Sequence, residues 1–235
     1  MTIGIMRPHY RQILPTLLTF SYITSSSAFT PPKAVSSFKA FTPGSQTFTS
    51  LKSTSSAENN PILPPINDTT KRLFLVRHGE VIPPGGVHGV FYGSEDVPLS
   101  PLGELEAIAA AKYLQQFDLE HVACSPLKRA IFGAQETLKL QSYQEGKDLK
   151  IFNGFSELDR GAWCGKRKDE IGEELMDRFN ACDESVTPEG GESYPFLKKR
   201  VLEARDQLLS QMEPGRCSAI VSHLQVTRSM LRYVL

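Results

Sequence analysis

Arg72–Glu80 reads RLFLVRHGE, an apolar run that ends abruptly in polar and charged residues. The part from Arg72 to Val76 is nearly continuous in its apolar character, which is typical of a parallel strand covered by helices on both faces. Arg77 and His78 follow this run directly. The stretch therefore predicts a central buried strand with two polar side chains at its carboxyl end.

Helical and strand patterns alternate along the rest of the chain. Ser100 is the expected N-cap of the first helix, with Pro101 at its first position and Glu104 completing a capping box. We predict helices over 101–116, 126–139 and 194–212, and strands near 121–124, 149–152 and 218–222. This alternation predicts a three-layer α/β fold with a mainly parallel central sheet.

Polar side chains follow the predicted strands. In a parallel sheet the ligand crevice lies beyond the carboxyl ends of the strands, so groups at those ends are expected to converge. Four polar clusters occupy such positions: Arg77 with His78, then Ser125–Arg129, then Glu157, and finally His223.

These residue types suit transfer of a phosphoryl group. A neutral imidazole such as that of His78 is a competent nucleophile toward phosphorus. The guanidinium groups of Arg77 and Arg129 match the charge and geometry of phosphoryl oxygens. A poor leaving group needs a proton from a carboxylic acid. Glu157 is the candidate for this acid, and Asp159 is the alternative.

Six sequence blocks resemble, in order, those of the histidine phosphatase superfamily, the phosphoglycerate-mutase-like proteins. Together they extend over almost all of residues 71–235, which implies the phosphoglycerate-mutase-like α/β fold for that region. The blocks are Leu75–Glu80, Tyr92–Ser100 with Gly103 and Glu106–Ala107, Cys124–Ala130, Phe155–Gly165, Gly190–Ser193 and Val221–His223.

The resemblance implies a role for each candidate residue. His78 would be the phosphorylated nucleophile, Arg77 and Arg129 would bind the phosphate, and Glu157 would be the proton donor. His223 would be a second histidine of the pocket that also contacts the phosphate. No metal or other cofactor is expected, because the histidines lack the spacing of a metal site. We interpret His88 and His121 as structural, with His88 as a candidate for the pocket entrance.

A phosphatase is favoured over a mutase by the segment between Glu157 and Gly190. It has 32 residues, whereas phosphoglycerate mutases resemble one another in a longer insert that caps the pocket. A short, open cap favours water as the phosphoryl acceptor, as in small bacterial-type phosphatases such as those acting on nucleotide-loop precursors of cobalamin. Phosphoglycerate-mutase-type transfer is the alternative.

Three features depart from the family pattern, and the second and third raise another hypothesis, a non-catalytic phospholigand-binding homologue. Val81–Gly86 lacks the Asn that family members often carry, and Leu224 stands where many have Gly. The chain also ends at Leu235, inside the helix expected after His223. We therefore interpret the domain of residues 71–235 as truncated at its C-terminus.

Charge and cysteine content restrict the partners. The 235 residues contain 26 basic and 26 acidic side chains, and residues 71–235 contain 21 and 24. Because these charges are interspersed, no nucleic-acid-binding surface is expected, and the predicted ligand is a small phosphorylated molecule. The four cysteines are too far apart for a zinc site or redox pair, so we interpret them as structural thiols. The sequence carries no signal for an oligomeric state.

The first seventy residues are typical of a targeting leader. We interpret 1–28 as a signal peptide, 29–56 as a transit-peptide-like segment without acidic residues, and 57–70 as a linker. The sequence Ser27–Pro31, SAFTP, resembles the cleavage motif of two-part plastid presequences in algae with complex plastids. This implies the plastid stroma, reached through the secretory pathway, with plain secretion as the alternative. The apolar run is short for a membrane anchor, and no membrane association of the mature form is expected.

Overall fold

One mixed sheet forms the centre of the molecule. The structure is a computed structural model that describes residues 17–23, 63, 65–141 and 148–234. The strands in this part of the chain have the spatial order β1-β2-β5-β3-β4, in which β2, β5, β3 and β4 are parallel and β1 is antiparallel to β2. Their bounds are β1 Leu17–Ile23, β2 Thr70–Arg77, β3 Leu119–Cys124, β4 Leu149–Ile151 and β5 Cys217–Ser222.

Helices cover both faces of this sheet. Successive side chains of a strand point to opposite faces, so β2 contributes Phe74 and Val76 to one core cluster and Leu73 and Leu75 to the other. Helices α1 and α2 pack on the first face, and α5 and α6 on the second. This arrangement confirms the predicted three-layer α/β fold. The helices of the described residues are α1 Pro101–Leu114, α2 Lys128–Lys139, α3 Lys168–Ile171, α4 Glu173–Asn180, α5 Tyr194–Ser210 and α6 Leu224–Val234.

The N-terminus of α1 is held differently from the prediction. The side-chain oxygen of Ser100 accepts a hydrogen bond from the Gly103 N–H at 3.0 Å, so Ser100 is the N-cap as expected. The capping box with Glu104 is wrong, because the third helical position is Gly103 and Glu104 lies one residue too far along. The Ser100 hydroxyl instead donates to the Glu80 carboxylate at 2.5 Å. This bond ties α1 to the loop that follows β2.

The segment between Glu157 and Gly190 contains two helices, α3 and α4, that the sequence did not predict. Its apolar side chains Trp163, Met176 and Phe179 are buried in the core cluster on the α5 and α6 face. Met176 and Phe179 are three residues apart and lie on one face of α4, a short helical pattern that the prediction overlooked. The segment therefore extends the hydrophobic core.

Part of the predicted leader lies in the sheet. Leu17–Ile23, within the apolar run of the expected signal peptide, pairs with Thr70–Val76 as an antiparallel edge strand. We predicted that the folded domain covers residues 71–235, so this edge strand was not expected. The other residues of 1–62 are outside the described part of the chain, and the signal, transit and linker assignments stay predictions. Within the described residues, no helix combines the length and apolar character needed to cross a membrane.

Candidate active site

The carboxyl end of β2 places His78 beside the neighbouring strand. Its backbone N–H donates to the Ser222 carbonyl at 3.0 Å, which continues the pairing of β2 with β5 by one residue. The next residue, Gly79, touches the N-terminus of α1, where a Cβ atom would lie 2.2 Å from the Gly103 carbonyl oxygen. A side chain at position 79 would therefore push the helix away. Close backbone packing thus explains the glycine of the Arg-His-Gly sequence.

The imidazole of His78 is buried and neutral. Its Nδ1 lies 2.7 Å from the Gly79 carbonyl oxygen, which can only accept, so the proton is on Nδ1 and Nε2 keeps its lone pair. Burial, followed by the charges of Arg129 and Arg77, lowers the pKa of His78 to about 3. An unprotonated nitrogen is therefore available at physiological pH, as a nucleophile requires.

His223 lies directly beside this group. The two imidazole centroids are 5.1 Å apart, and the His223 side chain is fully buried. Its Nε2 is 2.7 Å from the Ser125 hydroxyl oxygen at the end of β3. Burial, the neighbouring His78 and the arginines lower the pKa of His223 well below its ordinary value. The structure therefore brings together the ends of β2, β3 and β5, as predicted.

Arg129 approaches from the first turn of α2 and is 1% exposed. Its two terminal nitrogens donate to backbone carbonyls, Nη1 to Glu95 at 2.5 Å and Nη2 to Gly93 at 2.8 Å. The guanidinium carbon also lies 5.4 Å from the centroid of the Tyr92 ring. Arg129 therefore fixes the 92–95 loop as well as contributing charge to His78. This second role could not be predicted from the sequence, because every residue has a backbone carbonyl.

Three buried side-chain nitrogens of this group have no hydrogen-bond partner among the described residues. They are Nε of Arg77, Nε of Arg129 and Nδ1 of His223. Leaving a buried polar group unsatisfied costs about 1–3 kcal/mol, more for a charged group. Two guanidinium groups and an imidazole beside a neutral histidine form a site suited to an oxyanion such as a phosphoryl group.

Glu157 is the buried carboxyl group of the predicted site. Its side-chain oxygens accept from the backbone N–H groups of Leu158 at 2.8 Å and Gln225 at 3.4 Å, the latter in the first turn of α6. Burial raises the pKa of Glu157, against the opposing effect of these N–H groups and of Arg160 and Arg129. A carboxyl group with a raised pKa can hold a proton near neutral pH, as a general acid must.

Asp159, the alternative acid, has a different environment. Its carboxylate is exposed and accepts from the Gly161 N–H within its own turn at 2.9 Å. Glu157, in contrast, is buried, bonds the Gln225 N–H two residues after His223, and interacts electrostatically with Arg129. These differences in environment favour Glu157 over Asp159.

A partly buried ion pair supports the Glu157 loop, and it was not predicted from the sequence. Arg200 on α5 meets the Glu192 carboxylate at 2.6 and 2.7 Å. The same guanidinium donates to the carbonyls of Gly154 and Ser156, both at 2.8 Å, and of Glu157 at 3.3 Å. Glu192 belongs to the fifth of the six sequence blocks, so that block is explained by support of the loop rather than by direct contact with phosphate.

Arg77 and His78 line a cavity of about 350 Å³. The other side chains around it include Glu80, Glu106, Tyr92 and His88, in addition to Val81, Pro83 and Val90. His88, the candidate for the pocket entrance, is thus one of the residues that line this cavity. Glu157 and Asp159 line a separate cavity of about 620 Å³. Glu157 is therefore related to the other site residues by its charge interaction with Arg129 and its hydrogen bond with the Gln225 N–H, and it does not share their cavity.

Two sequence departures have simple local explanations. Leu224 opens α6 with an ordinary backbone and a side chain 41% exposed, so nothing at this position demands glycine. Val81 and Pro83 add apolar surface to the cavity where an amide donor was expected from the family pattern.

His121 lies away from this site and bonds through Nε2 to the Gln211 carbonyl at 3.0 Å. The thiol of Cys124 is buried in β3, and burial raises its pKa to about 12, as expected for a structural cysteine.

Known proteins match the region that contains this site. The model of the histidine phosphatase superfamily (branch 1) matches residues 73–235. A bifunctional protein of Mycobacterium tuberculosis is 32% identical over 171 residues, which are 71% of this chain and 45% of that protein. A 2,3-bisphosphoglycerate-dependent phosphoglycerate mutase of Cytophaga hutchinsonii is 30% identical over 168 residues, 69% of this chain and 76% of the mutase.

The fold is also found in solved structures. Mycobacterial glucosyl-3-phosphoglycerate phosphatase matches with a TM-score of 0.57 and 24% sequence identity, over 68% of this chain and 77% of that protein. At this identity the match establishes a shared fold. The chain spans less than half the length of the bifunctional mycobacterial relative, so that protein contains a large region with no counterpart in the match.

Proposed function

The chain belongs to the histidine phosphatase superfamily. We propose that it is a phosphomonoesterase that acts on a small phosphorylated metabolite through a phosphohistidine intermediate. One observation carries the proposal. A neutral imidazole, that of His78, is accompanied by three buried side-chain nitrogens without partners among the described residues, on Arg77, Arg129 and His223. This combination supports both a nucleophile and a binding site for the phosphoryl oxygens.

The proposed reaction has two steps. First, Nε2 of His78 forms a bond to phosphorus while the bond from phosphorus to the ester oxygen breaks, and the departing oxygen takes a proton from Glu157. Second, a water molecule gives a proton to Glu157 and attacks phosphorus, which releases phosphate and regenerates His78. The arginines and His223 stabilise the charge on the phosphoryl oxygens throughout. The raised pKa of Glu157 supports its role as the acid.

The charges around the cavity favour a phosphatase over a mutase. Among the side chains that line it, Arg77 is the one permanent cation, whereas Glu80 and Glu106 are carboxylates. A phosphoglycerate mutase must hold a second anionic group, the substrate carboxylate, in addition to the phosphate. Residues 158–189 contribute none of the lining side chains and pack into the core instead. This environment supports a neutral leaving alcohol and water as the acceptor.

Turnover by the full-length chain tests the proposal. Phosphate release is measured on glycerol 3-phosphate, sugar monophosphates and p-nitrophenyl phosphate, and conversion of 3-phosphoglycerate to 2-phosphoglycerate is followed by ³¹P NMR. We expect phosphate release without interconversion. Interconversion faster than phosphate release would establish the mutase alternative. Binding of phosphate without turnover of any ester would establish the non-catalytic alternative.

We further propose that residues 1–70 direct the protein to the plastid stroma through the secretory pathway. The acid-free composition of 29–56 and the sequence around Phe29 support this address. A fluorescent reporter fused behind residues 1–70 should reach the plastid of an alga with complex plastids. Phe29→Ala should stop the reporter before the plastid. Secretion of the unmodified fusion would contradict the proposal.

A further inference from the structure

We propose that Ser125 is a positioning residue that fixes the tautomer of His223, so that Nδ1 carries the proton and is presented to the phosphoryl group. The Ser125 hydroxyl oxygen lies 2.7 Å from Nε2 of His223, and both side chains are fully buried. Ser125 belongs to the sequence block that delivers Arg129, and no separate role was predicted for it. Its hydrogen bond with His223 is a second contact of that block with the site.

The hydrogen bonds around Ser125 decide which atom donates. Its hydroxyl oxygen already accepts from the Leu127 backbone N–H at 3.2 Å. Nε2 of His223 is the one acceptor that the described structure offers to the Ser125 O–H. A buried hydroxyl without an acceptor is unfavourable, because it has lost its hydrogen bond to water without gaining another. The satisfied arrangement therefore has Ser125 donating to Nε2, and a neutral imidazole must then carry its proton on Nδ1.

The tautomer of His223 determines whether Nδ1, on the other side of the imidazole ring, can donate a hydrogen bond. Nδ1 of His223 is buried and has no partner among the described residues. As an N–H it can donate to a phosphoryl oxygen. In the other tautomer the same atom presents a lone pair, which repels an anionic oxygen. Ser125 thus determines whether His223 attracts or repels the phosphoryl group.

The backbone holds Ser125 in place independently of this bond. Its N–H donates to the Val221 carbonyl at 3.1 Å, which extends the pairing of β3 with β5. His223 follows β5 directly. The two side chains are therefore carried by adjacent parallel strands. Removal of the hydroxyl should leave both backbones where they are.

Imidazole ¹⁵N NMR on the full-length chain labelled at its five histidines tests the assignment directly. In the wild type the His223 signals should show a protonated Nδ1 and an unprotonated Nε2. In Ser125→Ala the two nitrogens should move toward intermediate shifts, because both tautomers become populated. The matched control is Ser222→Ala, since the Ser222 hydroxyl is also buried but has no partner among the described residues, and it should leave the His223 spectrum unchanged.

Kinetics give the second readout. Loss of one preorganised donor typically lowers kcat about 10²- to 10³-fold, and a mixture of tautomers should lose less, roughly 10- to 10²-fold in kcat/KM for Ser125→Ala. Ser125→Thr, which keeps the hydroxyl, should restore both the spectrum and most of the rate. A wild-type spectrum with the proton on Nε2, or on both nitrogens at pH 7, would overturn the assignment. So would an unchanged spectrum in Ser125→Ala. These spectra do not depend on turnover, so they remain informative even if the proposed phosphatase activity fails.

Discussion

The inner and outer ends of the site differ in charge, burial and bonding. At the inner end, Arg129 and His223 do not line the cavity, are almost fully buried, and have buried polar atoms without partners among the described residues. At the outer end, Glu80 and Glu106 are carboxylates that already accept hydrogen bonds, from Ser100 at 2.5 Å and from the Glu80 backbone N–H at 2.8 Å. The inner end is therefore incomplete without an anion, whereas the outer end is satisfied and repels one.

This difference separates chemistry from selectivity. Buried charges act in a low effective dielectric, so the inner residues should have large effects on the rate for every phosphate ester. Exposed charges are screened by water and salt, so the outer carboxylates should have small effects that depend on the leaving group. Substitutions at the two ends can test the distinction.

The largest effect is expected for His78→Ala. This substitution should abolish turnover of every ester, because no other group of the described site is placed to form the covalent intermediate. Brief incubation of the wild type with a labelled ester should trap a phosphoryl adduct that is acid-labile and base-stable. His121→Ala is the control, since His121 bonds to the Gln211 carbonyl away from the site. Label on Ser, Asp or Cys would rule out the mechanism.

Glu157→Gln should slow alkyl phosphates far more than aryl phosphates. A glycerol alkoxide needs a proton to depart, whereas nitrophenolate leaves largely unaided, and general acid catalysis contributes roughly 10²- to 10⁴-fold. The comparison is the ratio of kcat/KM for glycerol 3-phosphate and p-nitrophenyl phosphate on one preparation. Equal losses on both would mean that Glu157 binds or orients, and Asp159→Asn would then be measured in the same way.

The pH dependence of kcat/KM tests the protonation state of Glu157. Burial raises the pKa of Glu157, and only its protonated form can donate to a leaving group. For glycerol 3-phosphate, kcat/KM should therefore fall as the pH rises through that pKa. The low pKa of His78, about 3, keeps the nucleophile unprotonated over the same range. In Glu157→Gln this alkaline decline should disappear.

Arg129→Lys should lower kcat/KM for alkyl and aryl esters alike. Lysine keeps the charge but loses the planar fork that bonds the Gly93 and Glu95 carbonyls, and a lost preorganised donor is worth about 10²- to 10³-fold. Lys128→Ala is the matched control, because the neighbouring lysine is 81% exposed and pairs with Asp96 at the surface. A loss confined to alkyl esters would assign Arg129 to the leaving group instead.

The inner end could be predicted from the sequence, because its residues follow strands. Strand positions are encoded locally by apolar runs, and parallel topology then brings Arg77, His78, Arg129 and His223 together. The supporting contacts could not be predicted in the same way. The bonds of Arg129 to backbone carbonyls and of Ser125 to His223 join residues far apart in the chain. The edge strand Leu17–Ile23 was interpreted as a targeting segment because apolar, β-branched and aromatic residues serve both purposes.

The smallest effect, and the one that tests the outer end, is expected for Glu106→Gln. The amide oxygen of Gln can still accept from the Glu80 N–H, so the substitution removes a charge while keeping the bond. The substrates are glycerol 3-phosphate and 3-phosphoglycerate. The leaving alcohol is neutral in the first and carries a carboxylate in the second. The wild type should prefer the neutral ester, and Glu106→Gln should shift the ratio of their kcat/KM values toward 3-phosphoglycerate by roughly two- to fivefold, the size of a screened surface charge effect. Glu104→Gln removes the same charge from the same helix at an exposed position that does not line the cavity, and it should leave the ratio unchanged. The shift should also shrink at high salt. An equal shift in both variants would mean that the overall charge of the helix matters, whereas no shift in either would mean that the carboxylates at the outer end hold α1 in place without selecting the substrate.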